Sequence, residues 1–481
     1  MKPSIASNTS NIKSLLTMKT KIQSLRAEFG RLSGQCGWLA AALALLCPLT
    51  SQALPSFARQ INMQCTACHT EFPILNQFGR QFKLSGYTAQ AEDATALPLA
   101  FTLQPSYTHT SAAQAGGAAP GFGKNNNTAL TQASIFYAGR LFGPFIKSAD
   151  SPLNKIGIFL QTTYDGVGKQ WSLDMTELRF ATPTTVGGKD AFFGIYANNN
   201  PTLEDLWNTT PAWGFPFTGS GLAPTPAAGT MIDGSLAGQV GGIGAYLFWN
   251  DQIYVGVGAY SNLGASFQKK VGLDPTGQTK VTGWAPYWRV AVENMVGEGR
   301  WEVGTFGLAA NTYPGGDTSE GTDRRVDFGL DTQYQLSKGV HDFTAMASWV
   351  YERQTSNASA ALEGTSNTSN TLRTTKLTLN YLYDKTYGFT AQYFSTGGSS
   401  DEFLYAGSAT GQPDSNGYVF QANYLPFNKT GGPAAWSRSN VKFSLQYVVY
   451  NRFDGARTNY DGNGANAKDN NTLYLEAWIV F

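Results

Sequence analysis

The sequence predicts an all-β fold, a sixteen-stranded transmembrane β-barrel behind a small N-terminal helical segment. Three observations point there. The 481-residue chain holds 53 Gly and 13% aromatic residues but only 14% charged ones. Beyond residue 53 no apolar run is long enough for a membrane helix. Many segments alternate apolar and polar residues, and the links between them alternate between tight turns and long polar loops. A formal net charge of +1 offers no basic face for nucleic acid.

The alternation is plain in three segments. In "RRVDFGLDTQYQLS", Val326, Phe328, Leu330, Tyr334 and Leu336 alternate with Arg325, Asp327, Asp331, Gln333 and Gln335. In "TKLTLNYLYDK", Leu377, Leu379, Tyr381 and Tyr383 alternate with Lys376, Thr378 and Asn380. In "NVKFSLQYVVY", Val441, Phe443, Leu445, Tyr447 and Val449 alternate with Lys442, Ser444 and Gln446. A period of two with one apolar face is a half-buried strand. One such strand also suits a soluble sandwich, so the connections decide.

About sixteen segments begin near residues 98, 129, 155, 172, 190, 237, 253, 283, 300, 324, 341, 371, 387, 417, 440 and 469. Links after the even-numbered ones are mostly tight, as at Asn250-Asp251-Gln252, Gly297-Glu298-Gly299, Lys338-Gly339 and Asp384-Lys385-Thr386. Those after odd-numbered ones are mostly long and polar, such as 200–236 and 397–416. Two even-numbered links, near 143–154 and 427–439, are longer than the rule wants. Short periplasmic turns alternating with long external loops are the build of an outer-membrane barrel. An even strand count puts both ends of residues 98–481 in the periplasm, and the last strand ends on an aromatic, Phe481.

Residues 1–53 read as a secretory signal peptide. Lys13, Lys19, Lys21, Arg26 and Arg31 form its basic part, "WLAAALALLC" its apolar core, and Ser51-Gln52-Ala53 a small-residue cleavage site. Met18 is a second candidate start. Leu46 is the wrong residue before Cys47 for a lipoprotein anchor. The expected mature chain carries two cysteines, both in "QCTACHTEF", where Cys65, Cys68 and His69 stand as C-x-x-C-H. A structural zinc site would need four ligands, and a redox dithiol a strand–helix context. One covalent haem c fits instead. Cys65 and Cys68 can form thioethers to its two vinyl groups, and His69 is placed to bind the iron from the proximal side.

The stretch "FARQINMQCTACHTEFPILNQFGRQFKLSGY", followed by sixteen strands, resembles the fused outer-membrane monohaem cytochrome c–porin family. Phe72-Pro73, Phe78-Gly79-Arg80 and Phe82-Lys83 make the match more specific than C-x-x-C-H alone. The resemblance implies a porin-like barrel that oxidises extracellular Fe(II), an iron:cytochrome-c reductase type of activity. The electron would pass to a periplasmic c-type cytochrome. The expected layout is 1–53 signal peptide, 54–97 monohaem c-type cytochrome segment and 98–481 barrel in outer-membrane lipid. The motif names no substrate, so two alternatives stand: a solute porin with a haem plug or sensor, and a conduit for another extracellular donor or acceptor. No nucleophile or paired-carboxylate motif suggests hydrolysis.

A segment of about 44 residues is near the lower limit for folding alone. A sixteen-strand barrel has an aqueous lumen to fill. The segment is therefore expected in or against the barrel mouth, with Arg80 and Lys83 as candidate partners of the haem propionates. For the distal iron ligand, Met63 is too close to Cys65. By alternation His109 (with Leu103 and Tyr107) and His341 (with Phe343 and Trp349) face outward. Met346 shares parity with Asp342, Thr344 and Ser348 and so faces the lumen; it is the first choice, with Met295 second and a vacant or water-bound position as the remaining alternative. Carboxylates that could receive ferrous ion stand in external loops at Asp317, Glu320, Asp323, Asp401 and Glu402. Solvation alone also explains them.

Overall fold

The computed structural model describes residues 55–88, 98–146, 151–433 and 439–481. The expected signal peptide, with Cys36 and Cys47, lies outside them. Three helices come first: α1 (Pro55–Ile61), α2 (Cys65–Cys68) and α3 (Gln77–Leu84). The strands follow as β1 (Leu99–Thr110), β2 (Asn127–Arg140), β3 (Ile156–Asp165), β4 (Gln170–Val186), β5 (Lys189–Asn198) and β6 (Val240–Trp249). Next are β7 (Ile253–Asn262), β8 (Lys280–Thr282), β9 (Ala285–Val296), β10 (Gly299–Tyr313), β11 (Asp323–Lys338) and β12 (His341–Thr355). The wall ends with β13 (Ser369–Tyr383), β14 (Tyr387–Gly398), β15 (Ser415–Tyr424), β16 (Asn440–Arg452) and β17 (Thr472–Val480).

Apart from the three-residue β8, each strand pairs antiparallel with its neighbours in chain order, β7 with β9 across β8, and β1 pairs with β17 to close the barrel. Both β8 and β9 lie along β10, so they are two pieces of one wall position and the barrel has sixteen. All sixteen expected starts fall within three residues of an observed one. Closure removes the unpaired edges that hydrocarbon would penalise. Tight turns sit where the sequence places them: Asn250 and Asp251 both take positive φ, 54° and 52°, as a two-residue hairpin turn requires. Apolar side chains such as Leu377, Leu379, Phe389, Phe443 and Leu445 stay exposed on the outer face, which suits lipid.

The inner face is polar and buried, because two pieces of chain fill the lumen. One is the helical segment. Gln60 on α1 donates to the Tyr87 carbonyl at 2.6 Å, and its oxygen accepts the Arg140 amide at 3.0 Å. Glu71 accepts from Asn380 (2.8 Å) on β13 and from Asn423 on β15. These contacts seat the segment inside the barrel, in the half of the lumen bounded by the short turns.

The second piece is the link between β5 and β6. Its residues 200–236 read as an external loop, yet the chain turns inward. Leu203, Leu206, Trp207 and Phe215 are buried. Trp207 donates its indole N–H to Glu293 at 2.6 Å, and Gln392 donates to the Phe215 carbonyl at 2.8 Å. Thr218 reaches Glu476 at 2.7 Å, so the loop spans the lumen from β9 to β17. Apolar "LW" and "WGFPF" gain by leaving water, while wall charges bind the loop backbone and its polar side chains.

Candidate functional site

The motif Cys65–His69 begins with one helical turn, α2. Asn76 joins this turn to α3: its amide donates to the Ala67 carbonyl (2.9 Å), its side-chain oxygen caps α3 at the Gly79 N–H (3.0 Å), and its backbone N–H donates to the Cys68 carbonyl (2.9 Å). Gly79 lets α3 lie against α2; a Cβ there would stand 2.2 Å from the Cys68 carbonyl oxygen. The C-x-x-C-H turn and the "FGR" stretch are therefore one packed unit.

Cys65, Cys68 and His69 line a single cavity of about 320 Å³ between this unit, the wall and the inward loop, within the usual size range of small-molecule sites. Phe57, Phe82, Phe136, Phe159, Trp213 and Trp478 supply much of its apolar lining. Both cysteines are free thiols, and burial pushes each up to about 12. Burial brings His69 down to about 4, opposed in part by the backbone carbonyls of Pro73 and Ile74, so its ring is neutral. Among the described residues, His69 Nδ1, Trp478 Nε1 and the Gln64 side-chain oxygen are buried without hydrogen-bond partners, and all three residues line the cavity. Two thiols, a neutral imidazole and orphaned polar atoms around an apolar cavity fit a covalently held haem. Ring contacts run from His69 to Phe72 (5.3 Å) and from Phe72 to Trp478 (4.8 Å) on β17.

The structure separates the other sequence candidates. His109 bonds Asn126 and His341 bonds Tyr381, and both bonds are exposed. Met63 is 39% exposed; Met295, though of inward parity, is 57% exposed near the turn that ends β9. Met346 faces inward and is buried, but it lines a different, small cavity against residues 208–215 of the inward loop. The methionine that lines the Cys65–Cys68–His69 cavity is Met175. Simple alternation misses it because β4 carries a bulge. Trp171 and Leu173 pair outward with Tyr164 and Thr162; the register then shifts, and Thr176 pairs with Leu160. The signal was present: the apolar parity changes from Trp171 and Leu173 to Leu178 and Phe180.

Arg80 turns away from the cavity into the wall, paired with Glu293 (3.1 Å) and donating to Gln335 (2.7 Å). It is thus corrected as a propionate partner. Lys83 does line the cavity, yet its ammonium donates to the carbonyls of Leu203 (2.8 Å) and Asp205 (2.6 Å) on the inward loop. The loop carboxylates are partly spent as well. Asp401 accepts from the backbone N–H groups of Ser366 and Leu404 (both 2.9 Å), which hold it well below the usual carboxylate range. Asp323 accepts from Ala358 and Ser359, and Asp317 from Ser319. Among the described residues no group of three or more His, Cys, Asp or Glu could hold a metal ion.

No family model and no curated protein matches the chain. Among solved structures it is similar to OmpT, an outer membrane protein of Vibrio cholerae, at 10% identity and TM-score 0.40, covering 80% of this chain and 96% of that one. An anion-selective porin from Comamonas acidovorans matches at 11% and 0.44, covering 79% and 98%. The outer membrane channel DcaP of Acinetobacter baumannii matches at 10% and 0.42, covering 80% and 96%. The barrel assignment rests on the chain's own closed ladder.

Proposed function

We propose that this outer-membrane barrel is an electron conduit with one covalent haem c in its lumen. Cys65 and Cys68 hold the haem by thioethers and His69 ligates its iron. The reading rests on one observation above others: the three residues of a haem-attachment motif line one apolar cavity inside the barrel. The haem supplies reversible one-electron chemistry when bound. The protein's part is to bind, orient and shield. The turn Cys65–His69, braced by Asn76, sets where the anchors and the imidazole stand. Phe57, Phe82, Phe159 and Trp213 exclude water, which tunes potential.

Ferrous iron outside the cell is the foremost donor and a periplasmic c-type cytochrome the acceptor; both rest on the family resemblance. The buried inner wall and the loop tied across the lumen favour electron over solute passage. Anaerobic mixing of the purified protein with ferrous iron should reduce the haem rapidly, while planar bilayers should show little conductance. A slow or absent spectral change together with a large conductance would favour the solute-porin alternative. Rapid reduction by a different extracellular donor alone would leave the conduit and replace its substrate.

A further inference from the structure

We infer that Met175, not Met346, is the residue that binds the haem iron opposite His69; the inference rests on the haem reading above. Three independent observations converge on Met175. Among the described methionines it alone lines the cavity that holds Cys65, Cys68 and His69, and, like Cys68, Phe57 and Trp213, it packs against the apolar cluster of Ile61, Phe82, Tyr87, Phe136 and Phe159. The other soft or imidazole ligands among the described residues are elsewhere: Met231 is buried in a separate cluster, His109 is half-buried against Asn126 on the outer face, and His341 is exposed beside Tyr381.

Local backbone design is the second observation. The β3–β4 ladder shifts register between Leu160 and Thr162, so Asp174 and Met175 together stand opposite Gln161. An added residue of this kind re-aims a side chain, and such bulges gather at functional sites. Without it, strict alternation would send Met175 out with Trp171 and Leu173. Instead both Asp174 and Met175 face the cavity.

Third, the bulge is braced by the inward loop. Asn199 accepts the Thr176 N–H at 2.8 Å and donates to the Asp174 carbonyl at 2.6 Å, while the Asp174 side chain accepts the Met175 N–H at 2.9 Å. These bonds satisfy the backbone groups that the broken ladder frees. The thioether thus stands on a stiff wall rather than a loop, where a ligand is best positioned. A neutral sulfur opposite a neutral imidazole adds no charge to a dry site, and such a pair raises the iron's potential. Other polar groups on the lining serve poorly. The Lys83 ammonium is bound to two carbonyls, and the Tyr87 hydroxyl donates to Glu177 at 2.8 Å.

The test uses full-length protein with haem attached, in detergent. Oxidised wild type should show the sulfur-to-iron charge-transfer band, and the reduced form should resist carbon monoxide. Met175→Leu should lose the band, bind carbon monoxide readily and have a lower potential, while denaturing-gel haem staining stays unchanged. Met346→Leu should retain the band. Met175→His should give a bis-imidazole spectrum, and it keeps the test decisive if the leucine variant folds poorly. A band that survives Met175→Leu, one that is lost in Met346→Leu, or none in wild type overturns the assignment. Absence of haem stain in wild type would instead sink the haem reading itself.

Discussion

Replacing Gly79 by alanine should open the C-x-x-C-H turn. The added Cβ would lie 2.2 Å from the Cys68 carbonyl oxygen and 3.0 Å from the Leu75 side chain. Side chains essentially never approach a backbone oxygen that closely, so α2 and α3 must part by about 1 Å. That parting strains the Asn76 N–H bond to the same oxygen, 2.9 Å long, which is worth about 1 kcal/mol. Overpacking adds about 1–3 kcal/mol, and the better helix propensity of alanine returns about 1 kcal/mol. The net is a loss of about 2 kcal/mol, roughly thirtyfold in the population of the closed turn. The assay is haem stain per unit of folded barrel, with strand content from circular dichroism and carbon monoxide binding as a measure of exposure. Less haem, or haem more open to carbon monoxide, is expected on an intact barrel. Gly407→Ala is the control, because nothing lies within 4 Å of its added Cβ. Haem content and ligand access equal to wild type in Gly79→Ala would refute the packing of these two turns.

Cys65→Ala with Cys68→Ala should abolish haem stain on a denaturing gel, whereas Cys36→Ala or Cys47→Ala should not; haem extracted from wild type by acid-acetone would oppose covalent attachment. Arg289 pairs with Asp331 (2.6 Å), Asp205 (3.2 Å) and Glu302 (3.3 Å). Arg289→Gln should cost about 3–5 kcal/mol by leaving buried carboxylates uncompensated, free the inward loop at Asp205 and raise bilayer conductance. Glu71→Ala removes the acceptor of one amide N–H each of Asn380 and Asn423, at about 1–3 kcal/mol, and should speed hydrogen exchange of the α2 amides about fivefold or more. Burial brings Lys83 down from 10.5 to about 8. The unfolded segment then binds more protons between those values, so stability rises with pH across that window. Thermal melts should show the rise, and Lys83→Met should flatten it.

The wall was legible in the sequence because a strand's two faces are set locally. A lipid-facing side chain must be apolar and its neighbour need not be, so period two shows wherever the barrel crosses the membrane, as at Leu377 and Leu379. Tight turns were legible for the same reason: Asn250-Asp251 tolerates positive φ on its own account. The C-x-x-C-H spacing is also local, since it reflects how far two thiols and one imidazole can reach within a single helical turn. Tertiary structure decided the rest. Nothing in residues 200–236 says whether their apolar groups meet solvent or a lumen; Glu293, Asp331 and Gln392, contributed by distant strands, make the lumen favourable. Gly79 has a reason only once α3 lies on the Cys68 carbonyl. Parity led to Met346 and gave no reason to consider Met175, because parity names the face but not the depth, and because one inserted residue in β4 reverses the face. Which inward side chain stands beside Cys65 and His69 depends on strand register, plug depth and the path of the inward loop together, and those are set by contacts between residues far apart in the chain.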